Sequence, residues 1–300
     1  MGKDHRLRGG WQIAICFLAY YVSIFLIQTV FAVIIQGLGI EVTEIVSIVF
    51  QVVLYFLLIG MLVLLFTKLN GSSIRVLGYD SVKNSRHEFL VGSAAAIISM
   101  TILAVLSYIT GDYHIVSVKF SPMIIAYLVF FTGVGFFEET LSRGFLQQTI
   151  LIRWGMVAAL LLPSLLFAFL HLGNANVSIL AIINTALAGI IFGLFAIRYD
   201  NIAASIGYHI FWNFFQGNIF GVSVSGTAGT ASLIQVVRDR DTVWTGGAYG
   251  LEGGLICSIV QVIIIVLQIR FIKQRPVNAE FAELTKKAEP RFPFDPQGTE

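Results

Sequence analysis

The chain has 300 residues, of which 57% are hydrophobic and only 12% are charged, and its formal net charge is +2. Soluble domains carry about 25% charged residues, so this composition excludes an ordinary soluble enzyme and indicates an integral membrane protein. The small net charge and the lack of a basic stripe argue against a nucleic-acid partner.

Apolar runs of about 20 residues, the length that crosses a bilayer as a helix, recur along the chain. We predict an all-α fold, a polytopic bundle of about eight transmembrane helices that encloses an intramembrane cavity. The spans lie at residues 12–35, 45–66, 89–110, 123–137 with some continuation, 156–172, 177–197, 202–220 and 255–272. Residues 1–10 would form a cytoplasmic N-terminal segment and 11–273 the membrane domain. Residues 274–300 would form a flexible tail, with at best a short amphipathic turn near Phe281.

Lysine and arginine residues divide the predicted loops into two sets. Of the 19 in the chain, all but Lys119, Arg238 and Arg240 fall in the terminal segments and the alternate loops on one side. Cytoplasmic loops carry the excess of basic residues. The pattern predicts a multi-pass protein with both termini in the cytoplasm, and we expect the membrane to be a bacterial cell membrane.

The glycine-rich segment 217–254 contains the charge cluster Arg238-Asp239-Arg240-Asp241 and is too polar to be a span. We interpret it as a long outer loop. A solvated connector is the favoured interpretation, and a lid or a partner-docking loop is the alternative.

Two adjacent carboxylates, Glu138 and Glu139, follow the apolar run 123–137. An ionisable side chain at membrane depth costs roughly 2.5 to 3.5 kcal/mol on insertion scales and indicates function. Arg143 lies four residues after Glu139 and can hold that carboxylate, while Glu138 points about 100° away. This division predicts a supporting role for Glu139 and a general-base role for Glu138. Taken alone, the pair could equally lie at the lipid headgroups.

Two later apolar runs contain residue pairs at the four-residue spacing that places side chains on one helix face. Phe167 precedes His171, and His209 precedes Asn213. An aromatic ring one turn away restricts the rotamers of an imidazole, and a histidine with a carboxamide can donate hydrogen bonds to an oxyanion. Each histidine taken singly is more often a packing residue. Polar groups in three separate spans are hard to assign to packing.

In this order, the three motifs resemble those of the CAAX protease and bacteriocin-processing family of intramembrane endopeptidases, also called the Abi family. The motifs are Glu138-Glu139-x-x-x-Arg143, Phe167-x-x-x-His171 and His209-x-x-x-Asn213. The resemblance covers about residues 136–215, and the role of the first three spans and the tail is inferred from hydropathy alone.

The resemblance implies hydrolysis of a peptide bond in a membrane-associated or lipidated peptide or protein. Glu138 and His171 would activate water, and His209 with Asn213 would stabilise the oxyanion. The supporting residues would be Glu139, Arg143 and Phe167. Eukaryotic members of the family remove the last three residues of prenylated CAAX proteins, so a prenylated tail is one candidate substrate.

The sequence leaves the metal requirement open. Glu139, His171 and His209 could ligate zinc, which is the only candidate cofactor. There is no HExxH motif, however, and Asn213 is a poor zinc ligand. We expect a metalloprotease-like reaction in which a glutamate activates water without an obligatory zinc ion.

Two alternative functions are compatible with carboxylates and histidines inside a membrane. A proton-coupled transporter would also bury such residues, but no inverted repeat relates two halves of the chain. A catalytically silent relative, acting in bacteriocin immunity or as a scaffold, would keep the fold, but every motif position is intact.

The predicted depths of two site residues disagree. Glu138 falls near the cytoplasmic end of the fourth predicted span, whereas His171 lies roughly 24 Å from the cytoplasmic start of the fifth. A kink at Pro163 or an interfacial helix at residues 143–154 would be needed to bring them together. From the position of Glu138, we expect the cavity to be reached from the cytoplasmic leaflet.

Overall fold

The structure is a computed structural model that describes residues 7–229, 231–271 and 279–287. These residues form a bundle of helices and one pair of antiparallel strands. The helices are α1 (Gly9–Leu38), α2 (Glu44–Asn70), α3 (Val82–Ile109), α4 (Met123–Glu139), α5 (Gln147–Trp154), α6 (Met156–Leu170), α7 (Ile179–Tyr199), α8 (Ala203–Phe214), α9 (Leu255–Phe271) and α10 (Ala279–Lys287). The strands are β1 (Tyr113–Val118) and β2 (Ile234–Arg238).

Five helical stretches of the described chain are long and apolar enough to cross a membrane. They are Gly9–Leu38, Glu44–Asn70, Ile74–Ile109, Met123–Trp154 and Ile179–Tyr199. The apolar helices α6 and α9 have only 15 and 17 residues, and α8 has 12. The predicted bundle of apolar helices is confirmed, whereas the count of about eight spans is not.

Apolar side chains cover much of the outer surface of the bundle. Leu18, Phe25 and Val33 on α1 are exposed, as are Val53 and Phe56 on α2. Soluble monomers rarely expose large contiguous apolar patches, whereas a helix that crosses a bilayer must present such a surface to lipid. The chain is therefore an integral membrane protein.

Local sequence sets where several helices begin and end. The side chains of Thr43, Ser81 and Ser178 accept backbone hydrogen bonds at the N-termini of α2, α3 and α7. Gly39 and Gly71 adopt the left-handed conformation that ends α1 and α2. These are the residue types that satisfy the free backbone groups of helix ends.

Helices α4 and α5 form one continuous helix of 32 residues, Met123–Trp154, joined by a π-helical turn at Thr140–Leu146. The segment 143–154, for which the sequence suggested an interfacial helix, is the second half of this span. Glu138 therefore lies near the middle of a long helix and not at its cytoplasmic end, which corrects that prediction.

The long helix also removes the disagreement in depth between Glu138 and His171. It ends at Gly155, which has φ 84°, and α6 begins there. At about 1.5 Å per residue, Glu138 lies roughly 26 Å before this turn and His171 roughly 24 Å after it. The two side chains reach similar depths, although Pro163 stays inside α6.

Close packing against α3 holds α8 inside the bundle. A Cβ atom on Gly92 would lie 1.9 Å from the carbonyl oxygen of Ala204, and one on Gly207 would lie 2.4 Å from that of Phe89. Only glycine fits at both positions unless a backbone moves. Because α8 carries His209, this contact fixes the position of the histidine along the bundle axis.

The helix ends define two faces of the bundle. The basic face is the side at which α2, α5, α7 and α9 end. The basic residues on this face whose side chains the structure describes are Arg8, Lys68, Arg75, Lys83, Arg86, Arg153, Arg198, Arg270 and Lys286. The loop face is the opposite side, where the connectors 39–43, 110–122, 171–178 and 220–254 lie, and its described basic residues are Lys119, Arg238 and Arg240. Arg143, which the sequence assigned to a loop, lies inside the long helix.

The connectors of the loop face are ordered by contacts with one another. Strand β2 of the segment 217–254 pairs with β1, a small sheet that the all-α prediction did not include. Asp112 accepts hydrogen bonds from the hydroxyls of Thr242 and Thr245. Burial opposes the charge on Asp112, but these bonds and the nearby Arg240 outweigh it and lower the pKa of the carboxyl group.

Helix α10 lies within the predicted tail. Phe281 and Leu284 are buried, and Glu280 accepts hydrogen bonds from the backbone N–H and the hydroxyl of Ser73 at 2.6 and 2.5 Å. The amphipathic turn predicted near Phe281 is thus a nine-residue helix packed on the basic face. The other parts of the tail, and residues 1–6, lie outside the described residues.

Candidate functional site

A cavity of about 570 Å³ lies inside the bundle. Its wall contains the predicted catalytic and aromatic residues Glu138, Phe167, His171, His209 and Asn213. They come from the middle of the long helix Met123–Trp154, the end of α6 and the second half of α8. The structure therefore brings the three motifs together around one space.

Behind the cavity wall lies a fully buried ion pair. Arg143 donates from Nη1 to Glu139 Oε1 at 3.1 Å and from Nη2 to the carbonyl oxygen of Gly189 at 3.0 Å. The guanidinium carbon lies 4.9 Å from the ring centroid of Phe167 and 4.7 Å from that of Phe192. Both charged side chains are 0% exposed. Such a pair is strongly destabilising to break from one side, so it fixes the position of Glu139.

Glu139 in turn orients His209. The Nδ1 atom of His209 lies 2.9 Å from Glu139 Oε1, and its ring stacks on Phe192 with the centroids 5.0 Å apart. Because a carboxylate accepts, Nδ1 is the donor of this bond. Nε2 then points toward the cavity, where it lies 3.9 Å from Glu138 Oε2.

His171 has a defined tautomer. Its Nδ1 atom lies 2.8 Å from the backbone carbonyl oxygen of Phe167. A carbonyl oxygen only accepts, so Nδ1 carries the hydrogen and the neutral ring keeps Nε2 as a free acceptor. The ring of Phe167 contacts both imidazoles, with its centroid 4.7 Å from that of His171 and 6.1 Å from that of His209.

The two adjacent glutamates differ in their access to water. The side chain of Glu138 is 29% exposed, whereas that of Glu139 is fully buried. Asn213 is half-buried in the cavity wall, one helical turn beyond His209. This contrast supports the division into a supporting glutamate and one that can act on water.

A π-helical turn follows the site residues on each of two helices. The turn Thr140–Leu146 begins directly after Glu139, and the turn Phe215–Ile219 begins two residues after Asn213. Such turns shift the helix that follows and occur frequently at functional sites. In the second turn Gln216 and Asn218 are buried, and Asn218 lines the cavity.

Besides Glu44, the sequence analysis missed a second carboxylate of the cavity wall, Glu252. It accepts hydrogen bonds from Trp212 Nε1 at 3.2 Å, from Ser225 Oγ at 2.5 Å and from the backbone N–H of Ser225. Burial raises the pKa of Glu252, while these bonds and the nearby His171 act in the opposite direction. Glu252 thus links the loop face to α8 beside Asn213. The only sequence signal is an acidic residue isolated within Gly250-Leu-Glu-Gly-Gly254.

The described residues do not fit a zinc site. In the part of the chain that the structure describes, no three His, Cys, Asp or Glu side chains converge as possible ligands. Glu139 Oε1 already accepts from Arg143 and His209, and the ring of Phe167 contacts both imidazoles. The candidate ligand set Glu139, His171 and His209 is therefore not assembled, and a metalloprotease-like centre is not supported.

Comparison with known families agrees with the geometry. Residues 119–215 match the family described as type II CAAX prenyl endopeptidase Rce1-like. The match confirms the resemblance to CAAX proteases. It includes all three motifs and the helices that carry them, but not α1–α3, α9 or Glu252. The family implies protease activity in general. No curated protein and no solved structure matches the chain.

Proposed function

We propose that the protein is an intramembrane endopeptidase of the CAAX-protease type, which hydrolyses a peptide bond in a membrane-associated substrate. The observation that carries this proposal is the setting of Glu138. Its carboxylate reaches the cavity and lies 3.9 Å from His209 Nε2, beside a second carboxylate that Arg143 neutralises. The family match of residues 119–215 supports the same reaction.

Glu138 acts as the general base. It takes a proton from a water molecule as the water oxygen adds to the substrate carbonyl carbon, and the carbonyl electron pair moves to oxygen. His171 accepts a hydrogen bond from the same water through Nε2, the nitrogen that its bond to Phe167 leaves free. The proton held by Glu138 then passes to the leaving nitrogen as the C–N bond breaks.

His209 and Asn213 stabilise the oxyanion that forms in this reaction. His209 donates from Nε2 with both ring nitrogens protonated, while Nδ1 stays bonded to Glu139. Asn213 donates from its amide nitrogen on the same side of α8. Donors fixed in advance inside an apolar cavity act more strongly than in water, because they need no reorganisation during the reaction.

The test compares two glutamine variants. Glu138→Gln keeps the size of the side chain and removes the base, so we expect turnover in proteoliposomes to fall at least about 100-fold. Glu41→Gln is the matched control, because Glu41 is exposed in the connector between α1 and α2. Near wild-type turnover by Glu138→Gln would refute the assignment of the base.

The substrate can be found with the same pair of variants. Peptide termini are compared in membranes from cells that carry Glu41→Gln or Glu138→Gln, and the peptides that differ are then used in proteoliposomes. We expect a set of termini that depends on Glu138. If none differs under any growth condition and no prenylated peptide is cut, a catalytically silent relative becomes the better description.

A further inference from the structure

The cavity wall marks the face at which the cavity opens. Glu44 and Tyr127 lie near the starts of α2 and α4, and Asn174 lies in the connector 171–178. Residues 227–229, in the connector 220–254, are exposed and also line the cavity. All of these positions belong to the loop face. The mouth of the cavity is therefore on the loop face.

Toward the basic face, the bundle is closed below the catalytic residues. Arg143, Phe145 and Ser205 are fully buried there, and the hydroxyl of Ser205 donates to the carbonyl oxygen of Phe192 at 2.8 Å. The side chain of Gln147 fills the next layer and donates to the carbonyl oxygen of Gly193 at 3.0 Å. A substrate cannot reach Glu138 through this layer without unpacking it.

The two faces differ in charge. Nine lysine and arginine residues whose side chains the structure describes lie on the basic face, and three lie on the loop face. The excess of basic residues marks the cytoplasmic side of a membrane protein. The loop face, with the mouth of the cavity, is then the outer face. This reverses the expectation of cytoplasmic access, which rested on placing Glu138 at the end of a span.

We propose that the cavity opens to the extracytoplasmic side and that its substrate is a peptide segment presented from that side of the membrane. The second half of the proposal rests on the proposed function. A cytoplasmic prenylated tail could not reach Glu138 by this route. The substrate class is an exported or membrane-inserted peptide whose scissile bond lies within the bilayer.

The charges of the cavity narrow this class further. Its described wall contains three carboxylates, Glu44, Glu138 and Glu252, against one side chain that the mechanism holds as a cation, His209, and it contains no lysine or arginine. A tail cut three residues from its end would bring a terminal carboxylate within roughly 10 Å of Glu138. Like charges repel at that range in a partly buried site. The cavity therefore suits an internal, neutral or cationic segment and disfavours a free C-terminal carboxylate.

The orientation is tested by cysteine labelling in intact cells, which needs no activity. Cys16 and Cys257 are buried and free, and both are replaced by alanine. Thr227→Cys places a thiol at the cavity mouth, and Val82→Cys places one on the exposed start of α3 at the basic face. We expect a membrane-impermeant maleimide to label Thr227→Cys at once and Val82→Cys only after permeabilisation. The reverse pattern, or labelling of neither before permeabilisation, would overturn the proposal.

The substrate class is tested with two peptides that share an apolar sequence and a cut site. One ends in a carboxylate three residues after the site, and the other ends there in an amide. We expect the amide to be cut at least tenfold faster, and equal rates would refute the electrostatic argument. If the labelling pattern agrees with the proposed orientation but neither peptide is cut, the proposed function fails and the orientation stands. If the peptides are cut but the labelling is reversed, the function stands and the route is wrong.

Discussion

The substitution Glu139→Gln distinguishes the supporting role proposed for Glu139 from the general-base role proposed for Glu138. It keeps the shape of the side chain but removes the only described carboxylate bonded to Arg143. The guanidinium stays between the rings of Phe167 and Phe192, at 4.9 and 4.7 Å, with the carbonyl oxygen of Gly189 as its remaining acceptor. The variant therefore leaves a fully buried cation without its counter-charge.

The expected decrease in the free energy of unfolding is large, because both members of the ion pair are 0% exposed. Removing one member of a buried ion pair costs about 3 to 5 kcal/mol. The large cost comes from the buried charge that is left without a partner, so Glu139→Gln/Arg143→Met, which removes that charge as well, should recover much of the lost stability. The double variant should still be inactive, because His209 Nδ1 loses the carboxylate that orients the ring.

The measurement is unfolding by SDS titration in mixed micelles, with the hydrolysis rate measured on the same preparations. Glu41→Gln, on an exposed connector, is the control and should change stability by less than about 0.5 kcal/mol. A Glu139→Gln variant within about 1 kcal/mol of wild type would contradict the argument that the pair is buried and coupled. Recovery of activity in the double variant would contradict the role of Glu139 in holding His209.

Three further predictions concern parts of the fold around the site. Glu252→Gln should weaken charge-assisted bonds worth about 1.5 to 3 kcal/mol, and faster hydrogen exchange at Ser225 would report it. Because the pKa of Asp112 is lowered, its carboxylate stabilises the loop face at pH values above its pKa in the unfolded chain, about 3.9. This stabilisation is lost as the pH falls through the lowered pKa in the folded protein. Asp112→Asn should remove that acid sensitivity, measured by limited proteolysis. Gly92→Ala should cost about 1 to 3 kcal/mol by overpacking against α8, whereas Gly60→Ala, which meets nothing within 4 Å, should be neutral or stabilising.

Local spacing predicted which side chains lie next to one another at the site. The separation of Glu139 and Arg143 by four residues gave their ion pair, because such residues are neighbours on any regular helix. The same spacing placed His209 and Asn213 on one wall of the cavity. These features depend on helix geometry and residue type, which the sequence states directly.

The depth of the site could not be predicted in the same way. Hydropathy ends the fourth span near residue 137, because Arg143, Gln147 and Arg153 follow. In the structure these side chains are buried, and the carbonyl oxygens of Gly189 and Gly193 on α7 accept from two of them. When the hydropathy of one segment is considered alone, a polar residue whose hydrogen-bond partner lies on another helix cannot be distinguished from a loop residue.

Long-range contacts also account for the features that the sequence did not reveal. Glu252 reaches the cavity because the connector 220–254 folds back over α8, and β2 pairs with a strand more than a hundred residues earlier. Neither contact leaves a periodic pattern in the segment itself. The glycines that permit the fold of this connector made it resemble an unstructured loop.

The π-helical turn at Thr140–Leu146 restricts how the gene can vary in length. A π-turn holds one residue more than the α-helical turn it replaces, so it takes up that residue without rotating the helix that follows. A single-codon deletion inside the turn would leave a regular helix, with Gln147 still facing Gly193 and Arg153 still beside Gly9. The same deletion in the regular helix on either side would rotate everything beyond it by about 100° and move it by about 1.5 Å. We expect differences of one codon in length to fall in this turn and not in the regular helix that flanks it.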